Sequence, residues 1–190
     1  MNNCSSGVAP IVKGDKLNLE QGPRNNLERE QMKNIPYVSI VGSLMYVQVY
    51  TKLDIPYAVG MLGRYQSNSD LDHWKAAKKV MRYLKGTKDY KLMYKRSDHL
   101  EVIGYSDFDF AGCLDSRKST SKYVFLLVGG GGIYWRSAKK SLIATSTIEV
   151  EFVAYFEVLS CAIWLRSFIS RLEIVDTISM PLRIFYDNSA

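Results

Sequence analysis

The sequence has 190 residues, of which 47% are hydrophobic and 12% aromatic, and it carries a formal net charge of +6. This composition excludes a disordered or fibrous chain, and the length is sufficient for a buried core. Three widely spaced cysteines argue against a disulfide scaffold, and two histidines leave little material for a histidine-based metal site or triad. The positive charge favours an anionic partner such as nucleic acid.

The N-terminal stretch, MNNCSSGVAPIVKGDK, has no apolar segment behind a basic start, so we do not expect a secretory signal. No stretch approaches the ~20 apolar residues that a bilayer-spanning helix needs. These features predict an intracellular protein, cytoplasmic or nuclear, with no membrane partner.

The first part of the chain changes from polar to apolar. Residues 1–34 combine glycines and prolines with polar side chains, which predicts an irregular lead. From Tyr37 the apolar run YVSIVGSLMYVQVYT begins, and a second run follows Pro56, a residue that suits the first turn of a helix. We therefore predict two short helices within a helical segment over residues 35–97.

The segment SDLDHWKAAKKVMRYLKGT predicts a third helix, with Ser69 or Asp70 as its cap. Helical spacing predicts a buried stripe made of Trp74, Ala77, Met81 and Leu84. A basic stripe lies beside it and contains Lys75, Lys78, Lys79, Arg82 and Lys85. Charge patterning alone allows either a solvated helix face or a surface that contacts nucleic-acid phosphates.

Residues 98–190 are predicted to form an α/β (α+β) domain. HLEVIGYSD, TSKYVFLLV and GIYWRS are typical of strands, and the glycines at 129–132 favour a hairpin turn over a phosphate loop. A long helix follows, roughly Thr147 to Leu172, and LRIFYD predicts a last strand. The helix is predicted to bury Val150, Ala154, Val158, Cys161, Leu165, Phe168 and Leu172. A helical crossover would bring the last strand parallel to an earlier one, giving a mixed sheet of three antiparallel strands and one parallel strand.

Three carboxylates are predicted to converge in this domain. Asp107 ends the first strand and Asp187 ends the last, and the carboxyl ends of parallel neighbours meet at one edge. Glu151 lies in the first turns of the long helix beside its buried stripe, where a carboxylate is costly unless paired. Singly, each acid is more often a cap, a turn or a surface residue. Together they could bind Mg²⁺ or Mn²⁺, hard cations that prefer carboxylates.

Glu149 is assigned differently from Glu151. Ser146 and Glu149 have the spacing of a capping box, so we expect Glu149 to stabilise the start of the helix and not to bind metal.

Several stretches together carry a family resemblance. They are YVSIVGSLMYVQVYTKLDIPYAV, HWKAAKKVMRYLKGT, GYSDFDFAGCLDSRKSTSKYVF, GGIYWRSAKKSLIATSTIEVEFVA and IFYDNSA. In this order the chain resembles the C-terminal part of a copia-type retrotransposon Pol polyprotein, from the end of the reverse transcriptase into the ribonuclease H domain. The resemblance implies a ribonuclease H-like fold over residues 98–190, truncated at its C-terminus, preceded by helices of the polymerase. It also implies the rest of the Pol polyprotein as a partner.

The resemblance also implies a chemistry. The family uses four acids on two divalent ions to cut the RNA strand of an RNA–DNA hybrid. Asp107, Glu151 and Asp187 match three of the acids, and the fourth is expected after Ala190. Asp109 accompanies the first acid, as outer support or as a turn residue. We therefore expect a fragment that binds hybrid and cuts it poorly.

Two further basic residues could contact nucleic acid. Arg117 and Lys118, in the segment DSRKST, would contact backbone phosphates together with the basic stripe, or would form a solvated hairpin tip. The alternative to an enzyme is a non-catalytic nucleic-acid-binding or structural remnant of a retrotransposon polyprotein.

Overall fold

The computed structural model divides the chain into two compact units, Met1–Lys91 and Leu92–Ala190. The residues that the structure describes are 7, 9–11, 17–50, 52–94, 101–109, 113, 115–128, 130–141, 146–172 and 182–186. The boundary predicted between residues 97 and 98 lies outside them.

The first unit is helical. A 3₁₀ turn at Leu19–Gln21 precedes four helices, which are α1 (Asn26–Lys33), α2 (Tyr37–Tyr50), α3 (Pro56–Gly63) and α4 (Leu71–Gly86). The two helices predicted from Tyr37 and from Pro56 are confirmed as α2 and α3, and Asp70 is the N-cap of α4.

The irregular lead predicted for residues 1–34 is wrong in its second half, because α1 lies there. The Asn25 side chain accepts a hydrogen bond of 2.8 Å from the backbone N–H of Glu28, which caps the helix. Leu17 is buried in the helical core. Side-chain caps satisfy free backbone donors at a helix start, so a polar segment can form a short helix.

The buried stripe of α4 is rotated from its predicted position. Ala77 is buried as predicted, together with His73, Ala76 and Val80. Trp74, Met81 and Leu84 are only partly buried. The cap explains part of the difference: Asp70 Oδ1 accepts from the backbone N–H of His73 and lies 2.6 Å from its Nδ1 atom, which directs the imidazole inward. Lys78 Nζ lies 5.6 Å from the centroid of the Trp74 ring, at the margin of the buried side.

Buried tyrosines make the first unit sensitive to alkali. The Tyr37 hydroxyl donates to the Leu62 carbonyl at 2.9 Å, and burial raises the pKa of Tyr37 above its ordinary value of about 10. Above pH ~10 the unfolded chain therefore loses a phenolic proton that the folded chain keeps. Each such tyrosine should lower the free energy of unfolding by about 1.4 kcal/mol per pH unit until its folded pKa is reached. Urea titrations at pH 9 to 11 measure this slope, and Tyr37→Phe should reduce it; an unchanged slope would contradict the assignment.

The second unit contains a mixed sheet. Its strands are β1 (Val102–Asp109), β2 (Thr120–Leu127), β3 (Gly132–Lys139) and β4 (Arg183–Tyr186), in the order β3-β2-β1-β4. The first three strands are antiparallel, and β4 pairs parallel with β1. The predicted mixed sheet is therefore confirmed, and the described glycines 130–131 lie in the hairpin between β2 and β3.

Helix α5 (Thr147–Arg171) crosses between β3 and β4 and packs on one face of the sheet. Val150, Ala154, Val158, Ala162 and Leu165 are buried on its sheet side. The predicted stripe is thus confirmed at four of its members, but Cys161 is only partly buried. Phe168 and Leu172 are exposed, and the Phe168 ring stacks on Trp164 instead of entering the core.

Helix α5 also corrects the membrane expectation. Among the described residues it is the one helix long and apolar enough to cross a membrane, so the statement that no stretch reaches that length is wrong. Length and composition do not separate a membrane span from the core helix of a globular domain, and α5 packs on a sheet. The absence of a membrane partner stays a prediction.

Candidate functional site

The parallel pair of β1 and β4 is the framework of the candidate site. Ser106 of β1 is the register partner of Tyr186 of β4. These residues directly precede Asp107 and Asp187 in the sequence. Asp187 itself lies outside the described residues, and its role stays a prediction.

Tyr186 connects Glu151 to this pair of strands by a hydrogen bond. The Tyr186 hydroxyl donates to the backbone carbonyl of Glu151 at 3.2 Å, and Tyr186 also forms a hydrogen bond with Ser106. Burial raises the pKa of Tyr186, and the negative charge of Glu151 adds to that effect. The first turns of α5 are therefore fastened to the strand ends by one phenol, and the Glu151 side chain is partly buried there.

Asp107 has a different environment. Val102, Gly104 and Ser106 alternate with it along β1 and face α5, so Asp107 lies on the opposite face of the sheet. Lys122, its partner across the antiparallel pair, donates to Asp107 Oδ2 at 3.0 Å. The Asp107 side chain is 53% exposed, so this ion pair is screened by solvent and contributes about 0–1 kcal/mol.

The described residues do not by themselves form a metal site. No group of three or more His, Cys, Asp or Glu side chains in this part of the chain could hold an ion. Asp107 and Glu151 have the oxygen donors that a hard divalent cation prefers, but Asp107 is paired with Lys122. The structure thus brings Glu151 to the strand ends and leaves Asp107 on the other face.

The predicted basic stripe forms one continuous side of α4. Its five residues fall within about a third of the helix circumference, opposite the buried side, because helical residues advance by 100°. Their local contacts leave the charges near the surface: Lys75 pairs with Asp72 at 2.7 Å, and Arg82 Nε donates to the Lys78 carbonyl at 3.4 Å. We call Lys75, Lys78, Lys79, Arg82 and Lys85 the basic side of α4.

Arg117 and Lys118 lie in the connection between β1 and β2. Arg117 is exposed and has a φ of 48°, the left-handed conformation that is uncommon for a residue with a side chain. Its N–H donates to the Cys113 carbonyl at 2.7 Å, and the Cys113 N–H donates to the Lys118 carbonyl. Two backbone hydrogen bonds therefore hold this turn, and Arg117 projects from it.

A network on the α5 side of the sheet was missed by the sequence analysis. The buried Ser121 donates to Glu157 Oε2 at 3.2 Å, and Lys140 forms an ion pair with the same carboxylate. Glu157 directly precedes the buried Val158 on α5. Its position in the sequence, six residues after Glu151, did not indicate that Ser121 and Lys140 would be its partners. The network joins α5 to β2 and to the residue that follows β3.

Several known proteins are similar in sequence to this chain. The Pol polyprotein of transposon TNT 1-94 from Nicotiana tabacum is 39% identical over 172 residues, which is 90% of this chain and 13% of the polyprotein. The corresponding polyprotein of transposon RE2 from Arabidopsis thaliana is 35% identical over 181 residues, covering 95% of this chain and 12% of that protein. Nearly all of the chain is therefore homologous to a segment of copia-type retrotransposon Pol polyproteins. The resemblance found in the sequence motifs is thereby confirmed.

The chain spans about an eighth of these Pol polyproteins, so their full activities are matters for proposal. A protein named secreted RxLR effector protein 161, from Plasmopara viticola, is 45% identical over 134 residues, which is 70% of this chain and 94% of that protein. No protein-family model matches the chain, and no solved structure matches it.

Proposed function

We propose that this copia-type Pol segment is a ribonuclease H-like domain that binds RNA–DNA hybrids. In this proposal Asp107, Glu151 and Asp187 bind Mg²⁺ or Mn²⁺. A bound divalent cation would activate water and stabilise the leaving oxygen in phosphodiester hydrolysis. The rest of the Pol polyprotein is the expected covalent partner.

The observation that carries the proposal is the parallel register of β1 and β4. Ser106 and Tyr186 are register partners, so the two aspartates that follow them in sequence belong to neighbouring strands. Tyr186 also holds the turn that contains Glu151 against this pair. Ligands of open α/β sheets bind at the carboxyl ends of strands, which supports assigning all three acids to one site.

The basic side of α4, with Arg117 and Lys118, is proposed to contact the nucleic-acid backbone. Lysine and arginine contacts to phosphates give affinity without reading bases, which suits a substrate recognised by its backbone. Each neutralised phosphate releases counterions, so binding should weaken steeply as salt rises.

A double substitution on α4 tests the phosphate contact. Lys75→Gln/Lys79→Gln should lower the slope of log affinity against log salt by about 2, because each lost phosphate contact removes roughly one unit. Fluorescence anisotropy of a labelled hybrid between 50 and 300 mM salt, roughly the range over which such slopes are measured, gives the value. The control is Arg29→Gln/Lys33→Gln on α1, which removes the same charge elsewhere. Equal slopes for both double variants would show that the salt dependence reflects net charge alone, and would contradict a specific phosphate contact of α4.

A cleavage assay tests the enzymatic part. The full chain is incubated with end-labelled hybrid in Mg²⁺ or Mn²⁺, beside the variant Asp107→Asn/Glu151→Gln. If the wild-type chain cleaves the RNA strand and the variant does not, the result supports the ribonuclease proposal. Cleavage that the variant retains would indicate a contaminating nuclease and would contradict the site.

One observation favours a second candidate, a nucleic-acid-binding segment without turnover. Asp107 is paired with Lys122 on the sheet face away from α5, whereas Glu151 belongs to α5. Two carboxylates so arranged do not bind one ion unless Asp107 leaves Lys122. Salt-dependent hybrid binding without cleavage would support this candidate.

A further inference from the structure

The side of α5 that faces away from the sheet is apolar and exposed. Phe152, Phe156 and Ile163 are 69%, 65% and 66% exposed, and Leu159 between them is partly buried. The spacing of four, three and four residues keeps these side chains on one side of the helix, as in a coiled-coil seam. The buried side chains of α5 lie roughly opposite. We call Phe152, Phe156, Leu159 and Ile163 the outer seam.

Charged residues extend the outer seam at both ends. Glu149 precedes Phe152 by three residues and Arg166 follows Ile163 by three, so the alternating spacing continues from one to the other. Both residues are exposed. The seam thus has an acid at its N-terminal end, a base at its C-terminal end and apolar side chains between.

This order makes the seam complementary to itself in one orientation. Two antiparallel copies place Glu149 of each helix opposite Arg166 of the other, and Phe152 opposite Ile163. Phe156 then meets Leu159. A parallel arrangement would instead place Glu149 against Glu149 and Arg166 against Arg166, and like charges at such positions are unfavourable.

We propose that the outer seam binds a second copy of this chain, with the two α5 helices antiparallel about a two-fold axis. A two-fold dimer uses the same patch on both subunits, so a self-complementary patch is what it requires. The charge order selects the second copy among possible helical occupants, because each end of the seam finds its opposite charge in the same sequence.

The available area is sufficient for a weak dimer. Aromatic side chains bury ~150–250 Å² each, so the exposed seam with neighbouring Ile148 and Tyr155 offers on the order of 600 Å² per copy. Two copies would bury about 1,200 Å², the lower end of the range for specific interfaces. We therefore expect reversible dimerisation in the micromolar range and not an obligate dimer.

Sedimentation equilibrium of the full chain at roughly 1 to 100 μM, a span that brackets micromolar affinity, tests the proposal. The wild-type mass should rise from monomer to dimer. Arg166→Glu should raise the dissociation constant at least tenfold, because it sets two acids against each other at both ends of the seam. The swap Glu149→Arg/Arg166→Glu should restore dimerisation. Arg171→Glu, in the last turn of α5 and off the seam, is the matched control and should dimerise like wild type.

Three results would overturn the proposal. They are a wild-type chain that stays monomeric throughout this range, an Arg166→Glu variant that dimerises as tightly as wild type, and a charge swap that fails to restore association. Residue 166 is exposed, so its substitution should leave the circular dichroism spectrum unchanged. The spectrum of the swap variant shows whether the Ser146 cap still supports the helix, since the backbone N–H of Glu149 donates to Ser146.

Discussion

Replacing Phe125 by alanine should lower the free energy of unfolding of the second unit by about 3–5 kcal/mol. Phe125 is fully buried and packs in the core that joins β1, β2 and α5. Its contacts are tight, since a Cβ atom at Gly104 would lie 2.9 Å from the Phe125 ring. Truncation to alanine removes the ring from this core and leaves a cavity, and both effects destabilise the fold.

The measurement must report the second unit alone, because a chain with two compact units need not unfold in one step. The three tryptophans make this possible: in a Trp74→Phe background, fluorescence comes from Trp135 and Trp164. Urea titrations followed this way give the unfolding free energy. The matched control is Phe168→Ala, because Phe168 is 47% exposed and stacks on Trp164, a contact worth about 0.5–1.5 kcal/mol. Similar losses for the two variants would contradict the core assignment.

Periodicity located the helices better than it located their buried sides. In α4, apolar spacing predicted Trp74 as a core residue, whereas the small Ala76 and the polar His73 are buried instead. A lysine stem can cover an aromatic ring, so Trp74 remains at the margin. Hydrophobicity ranks His73 as polar, so its burial depends on contacts that spacing does not reveal, namely the Asp70 cap and the Tyr65 ring, whose centroid lies 4.3 Å from that of the imidazole.

In α5 the difficulty is the reverse. Apolar residues occur all around the helix, so several stripes fit the sequence equally well. The sheet covers Val158 and Ala162, while Phe156 is exposed, and nothing in the local sequence distinguishes these positions. An excess of apolar side chains on a helix therefore indicates a second surface, but not which residues form it.

The candidate site was predicted at the level of strand order but not of strand face. The crossover rule predicted that the last strand returns parallel, and β4 does pair with β1. The segment before Asp107 has apolar or small residues at both alternating sets, Val102 and Gly104 on one side and Ile103 and Tyr105 on the other. Alternation therefore could not predict which face Asp107 would take, nor that Lys122 would pair with it.

If Mn²⁺ binds the proposed site, Asp107→Asn should abolish the stabilisation that the ion gives to the second unit. If the cation binds the folded state and not the unfolded state, Mn²⁺ at about 100 times its dissociation constant raises the free energy of unfolding by ~2.7 kcal/mol. The substitution removes one of the proposed ligands, while its effect without metal should be small, because the Asp107–Lys122 pair is exposed. Thermal melts with Mn²⁺ and with a chelator measure the difference. A metal-induced shift that survives in Asp107→Asn would show that the metal binds elsewhere.

Lys122→Met should have the opposite effect and increase the stabilisation at a given Mn²⁺ concentration. Lys122 and a metal ion compete for the same Asp107 carboxylate, and a nearby cation also repels Mn²⁺. Removing the lysine ends both effects, and the methionine stem keeps much of its packing on the sheet. Lys33→Met is the control, because it frees the carboxylate of Glu30 on α1 in the same way, without a proposed metal site beside it. If both lysine variants respond to Mn²⁺ like wild type, Asp107 does not bind metal, and the non-catalytic function becomes the better account of this chain.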